Sequence, residues 1–289
     1  MHLSKCYRPS GEVTGRTEAR VVCNMAMTRN IRMGKDAEIR SYYDALYRAW
    51  GPQHWWPAES PFEVIVGAYL TQNTSWTNVA RAIQNLRDAG VLSIDGIRNL
   101  KRSRLERLIR PSGYFRQKAH RLKTFISFLD VQHQGSLDHM FAQSTEKLRQ
   151  QLLDLNGVGP ETADSILLYA GNHPVFVVDA YTRRVLDRHE ILPQKTDYEE
   201  IRRLFESALM PVTEKQEHNS VSLPLESGFP GIVHPPSAMS IAHRTAQVQV
   251  YNEMHGLIVG VGKFHCGKSK VKCEGCPLQR FLPKAKDEQ

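Results

Sequence analysis

The stretch "LNGVGPETADSILLYAGNHPVFVVDAYTRR" (155–184) contains a glycine-rich turn, two helical segments and an acid that follows an apolar run. Gly157 and Gly159 predict a tight turn, because glycine adopts the left-handed backbone region without a steric penalty. Pro160 suits the first turn of a helix, where its missing N–H would be unbonded anyway. The stretch therefore predicts a helix-hairpin-helix whose turn leaves backbone N–H groups free to hold a phosphate. An ordinary corner between two helices is the alternative interpretation.

The acid in this stretch, Asp179, follows the apolar run "VFVV" (175–178) and precedes a helix expected from Ala180. A carboxylate in that position is most often a helix cap. It also lies one helix length beyond the predicted phosphate-holding turn, which would bring it close to a bound nucleic-acid backbone. The cap and the functional acid are therefore both open interpretations.

The bulk composition indicates a globular chain with an anionic partner. The 289 residues are 41% hydrophobic, which is enough for a sizeable core. The net charge of +8 and the pI near 9.3 favour nucleic acid or an acidic membrane surface. Residues 1–35 hold seven Lys or Arg and two Glu without a structural period, so we expect a disordered basic arm there. No apolar run approaches the roughly 18 residues of a membrane span, so we expect no membrane span.

The segment "KRSRLERLIRPSGYFRQKAHRLK" (101–123) is the most basic part of the remaining chain. It holds nine Lys or Arg against the single acid Glu106. Such a density is able to attract phosphates, but a solvated helical face is an equally good interpretation of the charge alone.

The hydrophobic period from residue 36 onward is helical, with apolar residues at steps of three and four. Helices are expected at 36–50, 61–72, 75–89, 103–110, 115–131, 145–154, 160–171, 180–189, 197–209 and 249–263. Glycine and proline occupy the breaks between them, and no useful length alternates with period two. The pattern therefore predicts an all-α fold. Residues 211–248, rich in Pro, Ser and His, are expected to be a surface insertion or a disordered loop.

The sequences "LNGVGPETADSILLYA" and "VVDAYTRR" resemble the helix-hairpin-helix, Gly/Pro-rich loop and aspartate signature of the endonuclease III superfamily of DNA glycosylases. The resemblance extends over most of 36–210 and resumes at 249–282. It implies a two-lobed, all-α fold with a six-helix barrel over 62–172. The second lobe would combine 36–61 with 173–282, including the 211–248 insertion. Double-stranded DNA would lie in the cleft of a monomeric protein.

The resemblance also implies base excision chemistry for Asp179. Breaking the bond between base and deoxyribose leaves positive charge on the sugar, which a carboxylate stabilises, or the carboxylate activates the attacking water. The nucleotide must be flipped out of the duplex for this to happen. Superfamily members that also cut the strand carry a lysine on the helix after the hairpin, where this chain has Glu161. We therefore expect a monofunctional glycosylase without strand-cleaving lyase activity.

The stretch "HWWPAESPFEVIVGAYLTQNTSW" (54–76) more closely resembles the bacterial 3-methyladenine DNA glycosylase branch of that superfamily. In that branch a Trp pair and a later aromatic sandwich the base; the matching residues are Trp55, Trp56 and Trp76. Stacking suits an electron-poor alkylated purine. The resemblance further implies that Gln72 fills the gap left by the flipped nucleotide and that Lys263 lies near the pocket. Core packing is the alternative role for these aromatics.

The cysteine pattern Cys266-x6-Cys273-x2-Cys276 has the spacing of the iron–sulfur loop of endonuclease III relatives, but Leu282 stands where a fourth cysteine would follow. A [4Fe–4S] cluster is therefore a possible cofactor that lacks one thiolate. Alternative fourth ligands are His265, His255, Cys6, Cys23 or solvent. Zinc as Cys3His or no metal at all are further alternatives. Cysteine clustering favours a reducing cytosol, hence a cytoplasmic protein. We expect the loop lysines Lys268, Lys270 and Lys272 to contact phosphates.

Two other functions compete with an alkylpurine glycosylase. One is a glycosylase for oxidised pyrimidines or mismatched adenine. The other is a DNA-binding module without catalysis, against which the presence of Asp179 argues.

Overall fold

The computed structural model describes residues 34–210 and 236–283, and this part of the chain is helical. The helices are α1 (34–50), α2 (Pro61–Thr71), α3 (Trp76–Asp88), α4 (Ile94–Asn99), α5 (Arg102–Leu108), α6 (Phe115–His133), α7 (Leu137–Phe141), α8 (Thr145–Leu153), α9 (Pro160–Ser165), α10 (Ala180–Arg188), α11 (Tyr198–Ala208) and α12 (Ala246–Phe264). Over the described ranges, extended pairing is limited to one isolated bridge between Cys266 and Val271. The all-α prediction is confirmed. None of these helices has the length and apolar composition needed to cross a bilayer.

Two short helices, α4 and α7, were not predicted. Each begins at a serine whose hydroxyl accepts a backbone N–H three residues later: Ser93 from Gly96 and Ser136 from His139. Helices of six and five residues are too short to show a hydrophobic period, so only the cap signals them.

The predicted helix 160–171 changes its hydrogen-bonding pattern halfway. After α9, residues Ile166–Ala170 form a π-helical turn, and all five are buried. Single π-helical turns are rare and often lie at functional sites. Tyr169 belongs to this turn.

The predicted insertion 211–248 differs from the structure at its C-terminal end. Its first part lies outside the described residues, as do residues 1–33 of the predicted arm 1–35, whereas residues 34 and 35 of that arm belong to α1. Residues Ser237, Met239 and Ser240 are buried. The backbone N–H of Ala58 donates to Ser237 Oγ at 3.1 Å, and the N–H of Met239 donates to the Ala58 carbonyl at 3.0 Å. This segment therefore packs against the chain that follows Trp55 and Trp56. Helix α12 begins at Ala246, three residues before the predicted start at 249.

Two groups of helices are visible in the contacts. In the first, α2 is buried on almost every side and packs against α3, α6 and α9. In the second, α12 packs against α10, while α1 hydrogen-bonds to the end of α10 through Tyr42 Oη and His189 Nδ1 at 2.8 Å. The π-helical turn touches both α2 and α12 and thus joins the groups.

A buried ion-pair network fixes the segment that carries Asp179. Arg149 donates to Asp164 at 2.6 and 3.1 Å and to Glu199 at 2.5 Å. The Tyr198 hydroxyl donates to the same Asp164 carboxylate at 2.9 Å and accepts the backbone N–H of Val178 at 3.2 Å. The hairpin helices and the residue before Asp179 are therefore held by one charged cluster.

Replacing Arg149 with leucine should reduce the free energy of unfolding by about 3 kcal/mol, because the fully buried Asp164 would lose its counter-charge. Chemical denaturation at neutral pH measures this loss. The control is Arg102→Leu, which breaks the exposed pair with Glu106 and should cost less than about 1 kcal/mol. Equal losses in the two variants would contradict the role assigned to the network.

Candidate active site and nucleic-acid interface

The two oxygens of the Asp179 carboxylate have different surroundings. Oδ1 accepts the backbone N–H of Thr182 at 2.7 Å and its hydroxyl at 2.9 Å, so Asp179 is the N-cap of α10. Oδ2 lies 3.6 Å from Nε2 of His255, which is beyond an ordinary hydrogen bond. The residue is 9% exposed. Capping therefore occupies one oxygen and leaves the other for chemistry, so the two sequence interpretations are compatible.

The charge state of Asp179 follows from competing influences. Burial raises the pKa of the carboxyl, but the nearby His255 and the two Thr182 hydrogen bonds outweigh it, and the net pKa is lowered. The carboxylate is therefore ionised at neutral pH. Glu161, in contrast, is exposed to solvent. Partial desolvation, followed by the charge of Asp179, raises the pKa of Glu161 to about 7.

The three predicted pocket tryptophans lie together. The ring of Trp56 meets Trp55 at 5.8 Å and Trp76 at 5.3 Å between centroids, in both cases edge to face. Trp55 and Trp56 are buried, whereas Trp76 is only partly buried. Trp56 therefore contacts each of the other two tryptophans with a ring edge and stacks face to face on neither.

Two residues that sequence reasoning did not assign to the site, Tyr169 and His255, complete this cluster. Tyr169 packs against Trp56 at 5.2 Å between centroids, and its hydroxyl lies 2.5 Å from His255 Nδ1. His255 is thus engaged beside Asp179 and is unavailable as a fourth cysteine-loop ligand. The sequence signal that could have found Tyr169 and His255 is that each places a polar group within an otherwise apolar helical run.

The hairpin turn has the predicted backbone. Gly157 has a φ of +79°, which favours glycine, and a Cβ there would overlap the Arg121 side chain. A Cβ on Gly159 would meet nothing within 4 Å. Within the described part of the chain, the N–H groups of both glycines make no hydrogen bond. The turn thus presents free donors on an open face.

Gln72 lies at this turn and is held in place. Its amide nitrogen donates to the Gly157 carbonyl and to Thr162 Oγ1, each at 3.0 Å. Its amide oxygen accepts from Arg121 at 2.5 Å. Any insertion of Gln72 into DNA would have to exchange these bonds.

A polar cavity of about 190 Å³ opens beside Gln72. It is lined by Gln72, Asn73, Tyr114, Gln117, Lys118 and Arg121. Tyr114 exposes 66% of its surface at the rim of this cavity. The sequence analysis missed Tyr114 because it lies within the basic run.

The basic run 101–123 divides into internal and external charges. The Lys118 ammonium is buried and donates to the carbonyls of Leu70 and Ser112 at 2.8 and 2.7 Å. Burial, followed by Arg121, lowers the pKa of Lys118 to about 8. Lys123 similarly donates to two carbonyls at the end of α4. The exposed members are Lys101, Arg102, Arg104, Arg107, Arg110 and Arg116. Part of the run therefore caps helices, and the rest is free to attract phosphates.

The predicted lysines on the second group of helices are all exposed. Lys263 lies near the end of α12 and makes no hydrogen bond or ion pair with other described residues. Lys268, Lys270 and Lys272 lie in the loop between the first two cysteines.

The three cysteines line a common cavity of about 300 Å³. Leu282 and His265 line the same cavity, and Arg188 donates to Cys266 Sγ at 3.1 Å. His265 Nδ1 lies 3.0 Å from the Lys272 carbonyl, so it carries the proton and leaves Nε2 as a free acceptor. Among the described residues, no three His, Cys, Asp or Glu side chains converge closely enough for a single metal ion.

Comparison with known proteins identifies the family to which this chain belongs. Residues 66–211 match the family described as "HhH-GPD superfamily base excision DNA repair protein". A "Putative DNA repair glycosylase" of Methanocaldococcus jannaschii is 40% identical over 84% of this chain and 94% of its own. Endonuclease III-like protein 1 of Bos taurus is 26% identical over 89% and 69%. The class is therefore a DNA repair glycosylase. The chain belongs to the HhH-GPD superfamily of base excision DNA repair proteins.

Solved structures agree with this fold. The H. pylori 3-methyladenine DNA glycosylase bound to 1,N6-ethenoadenine is similar with a TM-score of 0.59 and 29% identity, covering 78% of this chain and 96% of that chain. A non-covalent endonuclease III–DNA complex has a TM-score of 0.60 at 20% identity, covering 86% and 94%, which supports the fold.

The two hairpin glycines should respond differently to alanine. Gly159→Ala should leave stability unchanged, because the site is open, but weaken duplex DNA binding about tenfold if the turn approaches a phosphate. Gly157→Ala should lower the free energy of unfolding by about 1–2 kcal/mol, because alanine strains the left-handed backbone. Thermal melts and fluorescence anisotropy with a labelled duplex separate the effects. Unchanged DNA affinity in Gly159→Ala would exclude the turn from the interface.

Proposed function

We propose that this protein is a monofunctional DNA glycosylase that hydrolyses the N-glycosidic bond of an alkylated purine flipped out of double-stranded DNA. The observation that carries the proposal is the position of the Asp179 carboxylate: its Oδ2 lies 3.6 Å from His255 Nε2, and the His255 ring contacts the ring of Trp55 and the hydroxyl of Tyr169. A negative charge beside a cluster of aromatic rings suits a reaction that leaves positive charge on the sugar.

The capping geometry supports electrostatic catalysis by Asp179. Because Thr182 fixes Oδ1, the carboxylate keeps its orientation as the base leaves. The lowered pKa keeps the group deprotonated, so it is able to stabilise the developing sugar cation or orient the attacking water. Glu161, exposed nearby, replaces the lysine that an imine mechanism requires.

The internal lysines support hydrolysis without strand cleavage. A Schiff base requires an unprotonated amine that reaches the sugar. The ammonium groups of Lys118 and Lys123 are each held by two backbone carbonyls and are directed into helix ends. Neither is a candidate nucleophile in this arrangement.

The aromatic cluster supports an alkylated purine as substrate. Alkylated purines are electron-poor or cationic, so indole rings attract them more strongly than normal bases. The H. pylori relative carries 1,N6-ethenoadenine, a modified adenine. We propose that the base enters where Trp76, the most exposed of the three tryptophans, borders Trp56, and that Tyr114 and Gln72 support the opened duplex.

A panel of duplexes with one lesion each tests this function. Wild-type protein should release 3-methyladenine or 1,N6-ethenoadenine and leave an intact abasic strand, whereas Asp179→Asn should bind the same duplex and lose at least ~100-fold in single-turnover rate. Alkaline cleavage of the product strand provides the readout, and untreated strands report lyase activity.

The panel also separates the competing functions. Release of oxidised pyrimidines or mismatched adenine without alkylpurine release would favour the endonuclease III-like alternative. Binding without release of any base would favour a non-catalytic DNA-binding protein.

We further propose that the cysteine cavity holds a [4Fe–4S] cluster. Three thiols that line one cavity of about 300 Å³ suit a polynuclear centre with thiolate ligands. Cys266, Cys273 and Cys276 would hold it, with His265 Nε2 as fourth ligand, because a ligating histidine usually donates its other N–H to a carbonyl. When bound, such a cluster cross-links the loop that carries the three exposed lysines.

Protein purified anaerobically should contain about four irons per chain, and His265→Ala should lower this content while the double variant His265→Ala/Leu282→Cys restores it. Metal analysis and visible absorbance provide the readout, independent of activity. The control is Cys6→Ser/Cys23→Ser, which should retain the iron. Iron loss in that control would assign the fourth ligand to the N-terminal segment, and zinc or no metal in wild type would overturn the cluster.

A further inference from the structure

Tyr169 and His255 form a buried polar pair against the Asp179 carboxylate. The Tyr169 hydroxyl lies 2.5 Å from His255 Nδ1, and His255 Nε2 lies 3.6 Å from Asp179 Oδ2. Tyr169 is fully buried, and His255 is 5% exposed. His255 Nε2 is buried and makes no hydrogen bond within the described residues. An orphaned buried ring nitrogen directed at a carboxylate needs an explanation.

Tyr169 and Asp179, the groups on either side of His255, determine where the protons of this hydrogen-bonded series lie. Burial raises the pKa of the Tyr169 phenol well above its usual value, so the phenol remains protonated and is able to donate. Asp179 Oδ2 accepts only, because the carboxyl is ionised. One imidazole tautomer satisfies both neighbours: Nδ1 accepts from the Tyr169 hydroxyl, and Nε2–H is directed at the Asp179 carboxylate.

We propose that Tyr169 and His255 are positioning residues for Asp179: the phenol holds the imidazole as the Nε2–H tautomer, which orients and preserves the negative charge of the Oδ2 oxygen. The inference rests on the proposed glycosylase function and adds a specific requirement to it. Neither residue is assigned contact with the sugar.

The elements around the pair make this arrangement specific. The π-helical turn displaces Tyr169 from a regular helical position, and α12 supplies His255 opposite it. The rings of Trp55 and Phe176 pack edge-on against the imidazole at 6.0 and 6.4 Å. These apolar walls exclude water, which strengthens the attraction between Nε2–H and the carboxylate.

The charged and titratable groups that act on this centre come from several elements. Besides Tyr169 and Asp179, they are Glu161 on α9, Tyr181 and Arg183 on α10, and Arg244 before α12. Burial is the largest influence on Asp179 and would raise its pKa if acting alone. Removing His255 should therefore raise the Asp179 pKa. Since the ionised form is the active one, activity would then be lost at a higher pH than in wild type.

The variants His255→Phe, His255→Gln and Tyr169→Phe test the proposal in single-turnover base release from a 1,N6-ethenoadenine duplex. His255→Phe should lower the rate at neutral pH at least ~10-fold and shift the acid limb of the pH–rate profile upward by about one pH unit or more. His255→Gln should retain more activity, because its amide N–H is able to donate to the carboxylate. Tyr169→Phe should lie between wild type and His255→Phe.

Matched controls separate positioning from simple loss of structure. Duplex affinity and melting temperature should remain close to wild type in His255→Gln and Tyr169→Phe. A second comparison removes the contribution of Glu161. The acid limb of the pH–rate profile should shift upward between Glu161→Gln and Glu161→Gln/His255→Phe by as much as it does between wild type and His255→Phe. A uniform rate loss without a change in the pH profile would indicate a structural role and overturn the proposal.

A measurement that needs no activity distinguishes failure of this inference from failure of the proposed function. Long-range 1H–15N spectra of histidine-labelled full-length protein should show His255 as the Nε2–H tautomer, and Tyr169→Phe should alter its ring shifts. The Nδ1–H tautomer in wild type would overturn the positioning role even if the enzyme releases bases. The predicted tautomer in a protein that releases no base would leave the pair intact and refute the glycosylase.

Discussion

The site depends on holding one negative charge, that of Asp179, inside protein without neutralising it. A buried carboxylate is costly unless hydrogen bonds and nearby positive or dipolar groups compensate for lost hydration. Thr182 supplies two hydrogen bonds to Oδ1, and the N-terminus of α10 adds its dipole. This arrangement makes the acid both a structural cap and a group with one oxygen to spare.

A network of hydrogen bonds and ion pairs fixes the position of Asp179 relative to the hairpin. Val178, the residue before Asp179, is tied through Tyr198 to Asp164, which lies on the helix that starts at the Gly159 turn. Arg149 closes the network from the helix before the turn. A phosphate held at the turn and a sugar beside Asp179 would therefore be positioned by one charged cluster, which accounts for the spacing along the sequence.

The sequence was most informative where structure is determined locally. The hairpin glycines, Pro160 and the Asp179 cap follow from backbone preferences and were predicted within a few residues. The short helix α4 has too few residues to show a period, and the π-helical turn and the docked Ser237 segment depend on tertiary contacts, so the hydrophobic pattern indicated none of the three. Lys118 is instructive because its charge favoured phosphate contact, whereas the fold directs it to two backbone carbonyls. Similarly, His255 was a possible metal ligand until the packing of α12 brought it to Asp179.

The central claim is that the Asp179 carboxylate stabilises positive charge at the sugar of a flipped nucleotide. The most direct measurement compares affinity for two otherwise identical duplexes, one carrying a cationic pyrrolidine abasic-site analogue and the other a neutral tetrahydrofuran analogue. The account predicts that wild-type protein binds the cationic duplex about 100-fold more tightly, and that Asp179→Asn loses this preference. Equal affinities in wild type, or a preference that survives in Asp179→Asn, would contradict it.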